Sequence, residues 1–211
     1  MYIEAFILYV VIFFSQVLFR AASTGAETQS FSVSSLILTL FIYCIPSLVL
    51  IWFLLYRGKK PEYRIQKPGK SDFFSGLISL SGLLIIGIAV SIISILTEAA
   101  YSQPLPSPAS IAGWITLCVY CLFSAYLEES FFRFYLLSKR EELNLNAPLA
   151  LIISAILFGI CHIYEGFWGF FNAALAGLFL GFIFLRFKTL HGIALAHGLY
   201  NITAFVLNAF I

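Results

Sequence analysis

Three polar groups interrupt otherwise apolar stretches in the C-terminal half of the chain: Glu128-Glu129 with Arg133, His162, and His197 with Asn201. An ionisable side chain in hydrocarbon is costly, and one that persists there usually faces a helix-bundle interior or a watery cavity and does chemistry or transport. On a helix, Glu129 and Arg133 are four residues apart with the acid on the N-terminal side, the favourable order for an ion pair, so Arg133 is expected to neutralise Glu129. Glu128 points about 100° away from that pair and has no partner close in sequence. A carboxylate in low-dielectric surroundings can accept and return a proton, which makes Glu128 the candidate general base. A structural polar knot between helices is the other reading of these three residues. His197 and Asn201 share one helical face and offer two neutral donors to an anionic oxygen. His162 shares a face with Phe158, and a lone histidine in such a place serves either as an interhelical hydrogen-bond donor or as a catalyst. His191 lies off the His197 face, near the basic end of its helix, and reads as interfacial.

The elements that must position these groups are membrane helices. Apolar residues make up 61% of the 211, and charged residues only 10%, far below the roughly 25% of soluble domains. Long apolar runs cover Ile3 to Phe19, Val33 to Tyr56, Phe73 to Leu96, Ile111 to Leu137, Pro148 to Tyr164, Phe167 to Leu185 and Leu190 to Phe210. They lack the roughly ten-residue alternation of a membrane barrel, so each must satisfy its own backbone as a helix. The expected fold is all-α, a polytopic transmembrane bundle of about seven spans, with residues 1–211 forming one membrane domain and 1–97 supplying accessory helices. The fifth and sixth runs form a tight pair, and Ala173, Gly177 and Gly181 make a stripe of small residues suited to close helix packing.

Basic residues cluster in alternate loops: Arg57, Lys59, Lys60, Arg64, Lys67 and Lys70 in one, Lys139 and Arg140 in another, Arg186 and Lys188 in a third. The intervening loops contain Glu27, Glu98 and Glu165, with Arg20 at a helix end, and Pro104, Pro106 and Pro108 punctuate one of them. The basic side is therefore expected to be cytoplasmic, with the N-terminus inside. The first run begins with Glu4 rather than a basic segment and lacks a convincing cleavage site, which favours a retained span over a signal peptide. The basic second loop also offers a surface to anionic headgroups, although topology alone accounts for it. Cys118 and Cys121 have a redox or zinc spacing but lack a second ligand pair, so they read as two small apolar residues of a helix. Cys161 and His162 point about 100° apart and are not expected to form a nucleophilic dyad. No nucleotide-binding glycine loop is present, and no nucleic-acid partner is expected.

The polar groups must also lie at one depth. If the fourth and fifth helices extend about two turns past the membrane around Ser138 to Pro148, then Glu128, His162 and His197 lie on the order of 10 to 15 Å below that surface and can meet.

The ordered set Glu128-Glu129-Ser-Phe-Phe-Arg133, Phe158-Gly-Ile-Cys-His162 and His197-Gly-Leu-Tyr-Asn201 resembles the CAAX protease and bacteriocin-processing family of intramembrane endopeptidases. The resemblance covers roughly Gly113 to Asn201, taken as the catalytic core (113–201). It implies that Glu128 and His162 hold and activate a water, that His197 and Asn201 stabilise the oxyanion, and that Glu129 and Arg133 orient the site. It also implies a glutamate-type mechanism without a cofactor. A zinc ion on Glu128, His162 and His197 is the alternative, against which stands the lack of an HExxH motif. The implied substrate is a peptide or a membrane-anchored protein, prenylated at a CAAX terminus or not. A bacteriocin-immunity protein that binds peptide in the same cavity is the competing function, while a transporter is disfavoured because no related halves are evident. Short loops without an appended soluble domain fit a bacterial cytoplasmic membrane protein with its active site toward the cytoplasm.

Overall fold

The computed structural model describes residues 2–23, 31–57, 65–97 and 107–209. Among these residues there is no strand, and the chain forms seven helices. They are α1 (2–23), α2 (Val33–Arg57), α3 (Lys70–Leu96), α4 (Ile111–Tyr135), α5 (Ala147–Ile160), α6 (Gly166–Phe187) and α7 (His191–Ala209). Each expected apolar run corresponds to one of them. Six helices are long and apolar enough to cross a membrane. The remaining one, α5, has 14 residues, about 21 Å of helix against a hydrocarbon core of about 30 Å. The 3₁₀ turn Ile163–Glu165 makes up part of the difference before α6 begins. Large apolar side chains such as Phe6, Phe41, Ile85 and Ile111 point outward, as they must where lipid rather than water is the solvent. Glu27, Glu98, Lys59, Lys60, Arg64, Pro104 and Pro106 lie outside the described residues, as does the side chain of Arg20.

Side-chain caps set several helix starts. Ser110 accepts a hydrogen bond from the Gly113 amide at 3.1 Å at the head of α4, and Asn146 accepts one from the Leu149 amide at 2.9 Å at the head of α5. Each satisfies an amide that the first helical turn leaves without a backbone acceptor. Pro148, with no amide hydrogen to lose, sits in the first turn of α5.

The end of α4 is the centre of the bundle. Its last six residues, Ser130–Tyr135, are π-helical and all buried, which an amphipathic surface helix would not show. Phe131 and Phe132 each lie 4.9 Å, ring centre to ring centre, from Phe13 of α1. Phe134 meets Phe184 of α6, and Trp52 of α2 donates its indole N–H to Ser130 Oγ at 2.9 Å. Ser154 Oγ of α5 donates to the Phe132 carbonyl at 2.8 Å, supplying a donor where the wider π turn disturbs the regular backbone pairing. The small residues of α6 face α5 as expected. A Cβ on Gly177 would come within 3.3 Å of the Ala155 backbone, and one on Gly181 within 2.4 Å of Leu151.

The helix ends carrying basic residues lie together. Tyr2 donates to the Leu143 carbonyl, Tyr135 donates to Glu4, and Lys139 Nζ lies 3.7 Å from the same carboxylate. Glu4, which argues against a signal peptide in the sequence, thus ties the start of α1 to the end of α4. Lys188 caps α6 in a left-handed conformation (φ 56°), and burial, reinforced by Arg140, holds its ammonium below the usual lysine range. Asp72 at the start of α3 accepts the Gly192 amide of α7 at 3.1 Å. The start of α1, the start of α3 and the turns after α4 and α6 therefore share one face of the bundle.

Candidate active site

Helix α7 must approach α4 closely to bring the polar groups together, and two glycines permit it. A Cβ on Gly198 would stand 2.8 Å from Leu122 of α4, and one on Gly192 would stand 2.1 Å from the Asp72 carbonyl of α3. No other residue fits the second position without moving backbone. With α7 seated this way, His197 Nδ1 donates to Glu129 Oε1 at 2.9 Å, and His197 Nε2 faces Glu128 Oε2 at 3.7 Å.

Glu129 is committed on both oxygens. Its Oε2 lies 2.9 Å from Arg133 Nε, both side chains fully buried. That ion pair is off-line for a hydrogen bond, and Arg133 Nη1 and Nη2 have no hydrogen-bond partner among the described residues. The guanidinium instead lies over the Phe158 ring, 4.6 Å from its centre, a cation–π contact that partly offsets the lost hydration.

Glu128 is differently placed. Its Oε1 accepts a hydrogen bond from Ser124 Oγ at 2.9 Å, while its buried Oε2 has no hydrogen-bond partner among the described residues. The expectation that Glu128 lacks a partner close in sequence needs correction: Ser124 sits one helical turn earlier on the same face, where i and i+4 side chains meet.

His162 follows the end of α5. Its Nδ1 lies 3.1 Å from the Phe158 carbonyl, and since a carbonyl only accepts, Nδ1 carries the proton and Nε2 of the neutral ring is left with a lone pair. Glu128 and His162 both line a cavity of about 70 Å³, with Ser124, Tyr43, Tyr120 and Gln16 among its walls. That volume exceeds the roughly 10–15 Å³ needed to hold a water. Asn201, one turn beyond His197, is half-buried, and no side-chain hydrogen bond joins it to a described residue.

Depth works out through a bend in the chain rather than a longer helix. α4 ends at Tyr135, about 10 Å beyond Glu128, and the chain continues in hydrogen-bonded turns from Leu136 to Asn144. These turns supply the extension that lets the 14-residue α5 end with His162 beside the cavity. Cys161 also lines it, but its Sγ donates to the Leu157 carbonyl at 3.3 Å and forms no pair with His162. Among the described residues no three His, Cys, Asp or Glu side chains are grouped to hold a metal ion. His191 bridges Tyr126 and the Gln66 carbonyl, at 3.0 and 2.9 Å, at the end of α7 away from the cavity.

Residues 110–203 match the family model described as type II CAAX prenyl endopeptidase Rce1-like. This segment is a CAAX protease-family domain. A search of the curated proteins and one of the solved structures each found no match. The matched segment runs from the start of α4 into α7 and contains all three polar groups. Phe158 joins those groups physically. Its ring lies 4.9 Å from that of His162 and 5.7 Å from that of His197, besides stacking on Arg133. The sequence places Phe158 only on the His162 face; its contacts with the other two motifs span up to 39 residues and carry no sequence signal.

Proposed function

We propose that the protein is an intramembrane endopeptidase that hydrolyses a peptide bond in a membrane-associated protein or peptide through water activated by Glu128 and His162. The observation that carries this reading is the division between the two glutamates. Glu129 is tied on both oxygens to Arg133 and His197, whereas Glu128 keeps one oxygen without a hydrogen-bond partner among the described residues and shares a cavity with His162. Water attacks the carbonyl carbon, its proton passes to Glu128 or to His162 Nε2, and the new oxyanion is held by His197 and Asn201. Collapse breaks the C–N bond, and the held proton goes to the leaving amine. Glu129 orients His197 through Nδ1–H, and that turns Nε2 toward the reacting oxygen, to which it donates in the doubly protonated ring that lies between the Glu128 and Glu129 carboxylates. The basic face, with Lys139, Arg140, Arg186 and Lys188, supports a cytoplasmic orientation for the end nearest α4's turns. Product masses that add one water to a lipid-anchored quenched peptide test the assignment. Wild-type protein that binds such peptides without cutting them would favour the immunity reading.

Asn201 offers the cleanest test of the oxyanion donors, because its side chain has no hydrogen bond to lose among the described residues. Asn201→Ala is expected to lower kcat on the order of 10² to 10³-fold with KM and melting temperature nearly unchanged. A matching loss in KM alone would assign Asn201 to ground-state binding instead.

The mechanism uses no metal. Prolonged chelation is therefore expected to leave the rate unaltered, and elemental analysis of active protein to find well under one zinc per chain. Stoichiometric zinc, with activity lost on chelation and regained on zinc addition, would replace the glutamate-type mechanism and keep the protease assignment.

A further inference from the structure

The cavity is not built from the CAAX protease segment alone: α1 contributes Phe13 and Gln16 to its wall, although residues 110–203 carry the family match. Gln16 is unusual among the polar side chains there. Tyr43 donates its hydroxyl to the Ile12 carbonyl at 2.7 Å, Ser124 donates to Glu128, and His162 Nδ1 donates to the Phe158 carbonyl. The half-buried Gln16 carboxamide makes no hydrogen bond or ion pair with any described residue. It carries two N–H donors and one carbonyl acceptor, the same groups a peptide bond presents.

Resting on the reading of the cavity as a peptide-hydrolysing site, we infer that Gln16 is a substrate-binding residue that pairs with the main chain of the peptide next to the scissile bond. A peptide leaving water for an aromatic-walled cavity loses hydration at each amide, and an amide left unpaired in a low-dielectric site is costly. A carboxamide side chain can meet both the N–H and the C=O of one residue in an extended chain, since those two groups lie on the same edge of the strand. It reads the backbone rather than a side chain, so it fixes the substrate in an extended conformation without selecting its sequence. In this arrangement the accessory helix supplies binding, and the matched segment supplies the chemistry.

The test uses full-length protein in lipid nanodiscs with the Glu128→Gln substitution, which blocks turnover in the proposed mechanism, and a fluorescent peptide ending in a farnesylated cysteine and three further residues. Anisotropy is expected to show Gln16→Leu weakening binding by about tenfold, on the scale of one amide pair lost from a buried site. In a series with single backbone N–H groups replaced by N-methyl, one analogue is expected to bind the parent protein about tenfold more weakly and to show no further loss with Gln16→Leu. Gln16→Met, closer in shape, repeats the measurement if the leucine variant melts early. Unchanged affinity in both variants, or losses that add for every analogue, would overturn the inference while leaving cleavage by the wild type intact. Failure of the parent protein to bind any peptide would overturn it together with the peptide-hydrolysis reading, and the absence of cleavage by wild-type protein distinguishes that case.

Discussion

Purified Glu128→Gln protein is expected to lose turnover by about 10² to 10⁴-fold, the range usual for removal of a general base, while keeping its melting temperature and peptide affinity. The substitution is nearly isosteric. Ser124 Oγ, 2.9 Å from Glu128 Oε1, still finds a carbonyl oxygen to donate to. The other oxygen, which has no hydrogen bond to lose among the described residues, is exchanged for an amide nitrogen that cannot accept a proton. Activity and stability therefore separate at this position. The same change at Glu129 is expected to behave otherwise, because both of its oxygens hold partners 2.9 Å away, and weakening either loosens His197 or leaves Arg133 uncompensated. A steady-state rate at saturating peptide, an anisotropy titration and a thermal melt on the same preparation decide the matter. Cleavage at the wild-type rate by clean Glu128→Gln protein would remove Glu128 as the base.

The bundle was legible because length alone carries most of the information in a membrane helix. Runs near 20 apolar residues can do little else, and every one matches a helix to within a few residues. The Glu129–Arg133 pair was legible for a similar reason, since a four-residue spacing in a helix places two side chains on one face. The identical spacing joins Ser124 to Glu128, yet a serine beside a carboxylate has no charge to flag it, and that contact emerged only from the structure. Contacts between distant helices had no sequence signature at all. His197 meets Glu129 across 68 positions, and the approach depends on Gly198 lying against Leu122, a matter of surface shape. The π-helical end of α4 was equally hidden. Its six consecutive side chains are all buried against α1, α2, α5 and α6, and no helical periodicity in the sequence marks where the turn widens.

That buried end makes Arg133 the position where a single truncation is expected to cost most. Arg133→Ala leaves Glu129 with its His197 hydrogen bond but without its arginine counter-ion, in a site where both side chains are fully buried, and breaking such a pair from one side typically costs about 3 to 5 kcal/mol. The guanidinium's stacking on Phe158, at 4.6 Å, is lost as well, and with it a contact between α4 and α5 beside the cavity. Low yield and a clearly lower melting temperature in detergent are the expected readouts. Arg133→Lys should recover only part of the loss, since an ammonium keeps the charge but neither the planar face nor the fork of donors. The double change Glu129→Gln with Arg133→Met sharpens the argument, because replacing both members of a buried pair by neutral groups of similar volume is often close to neutral for stability. That protein is expected to fold again yet remain slow, as His197 then faces a neutral amide at the position that now orients it. Wild-type stability in Arg133→Ala would show that the ion pair is not what holds the end of α4, and full activity in the refolded double variant would free His197 orientation from Glu129.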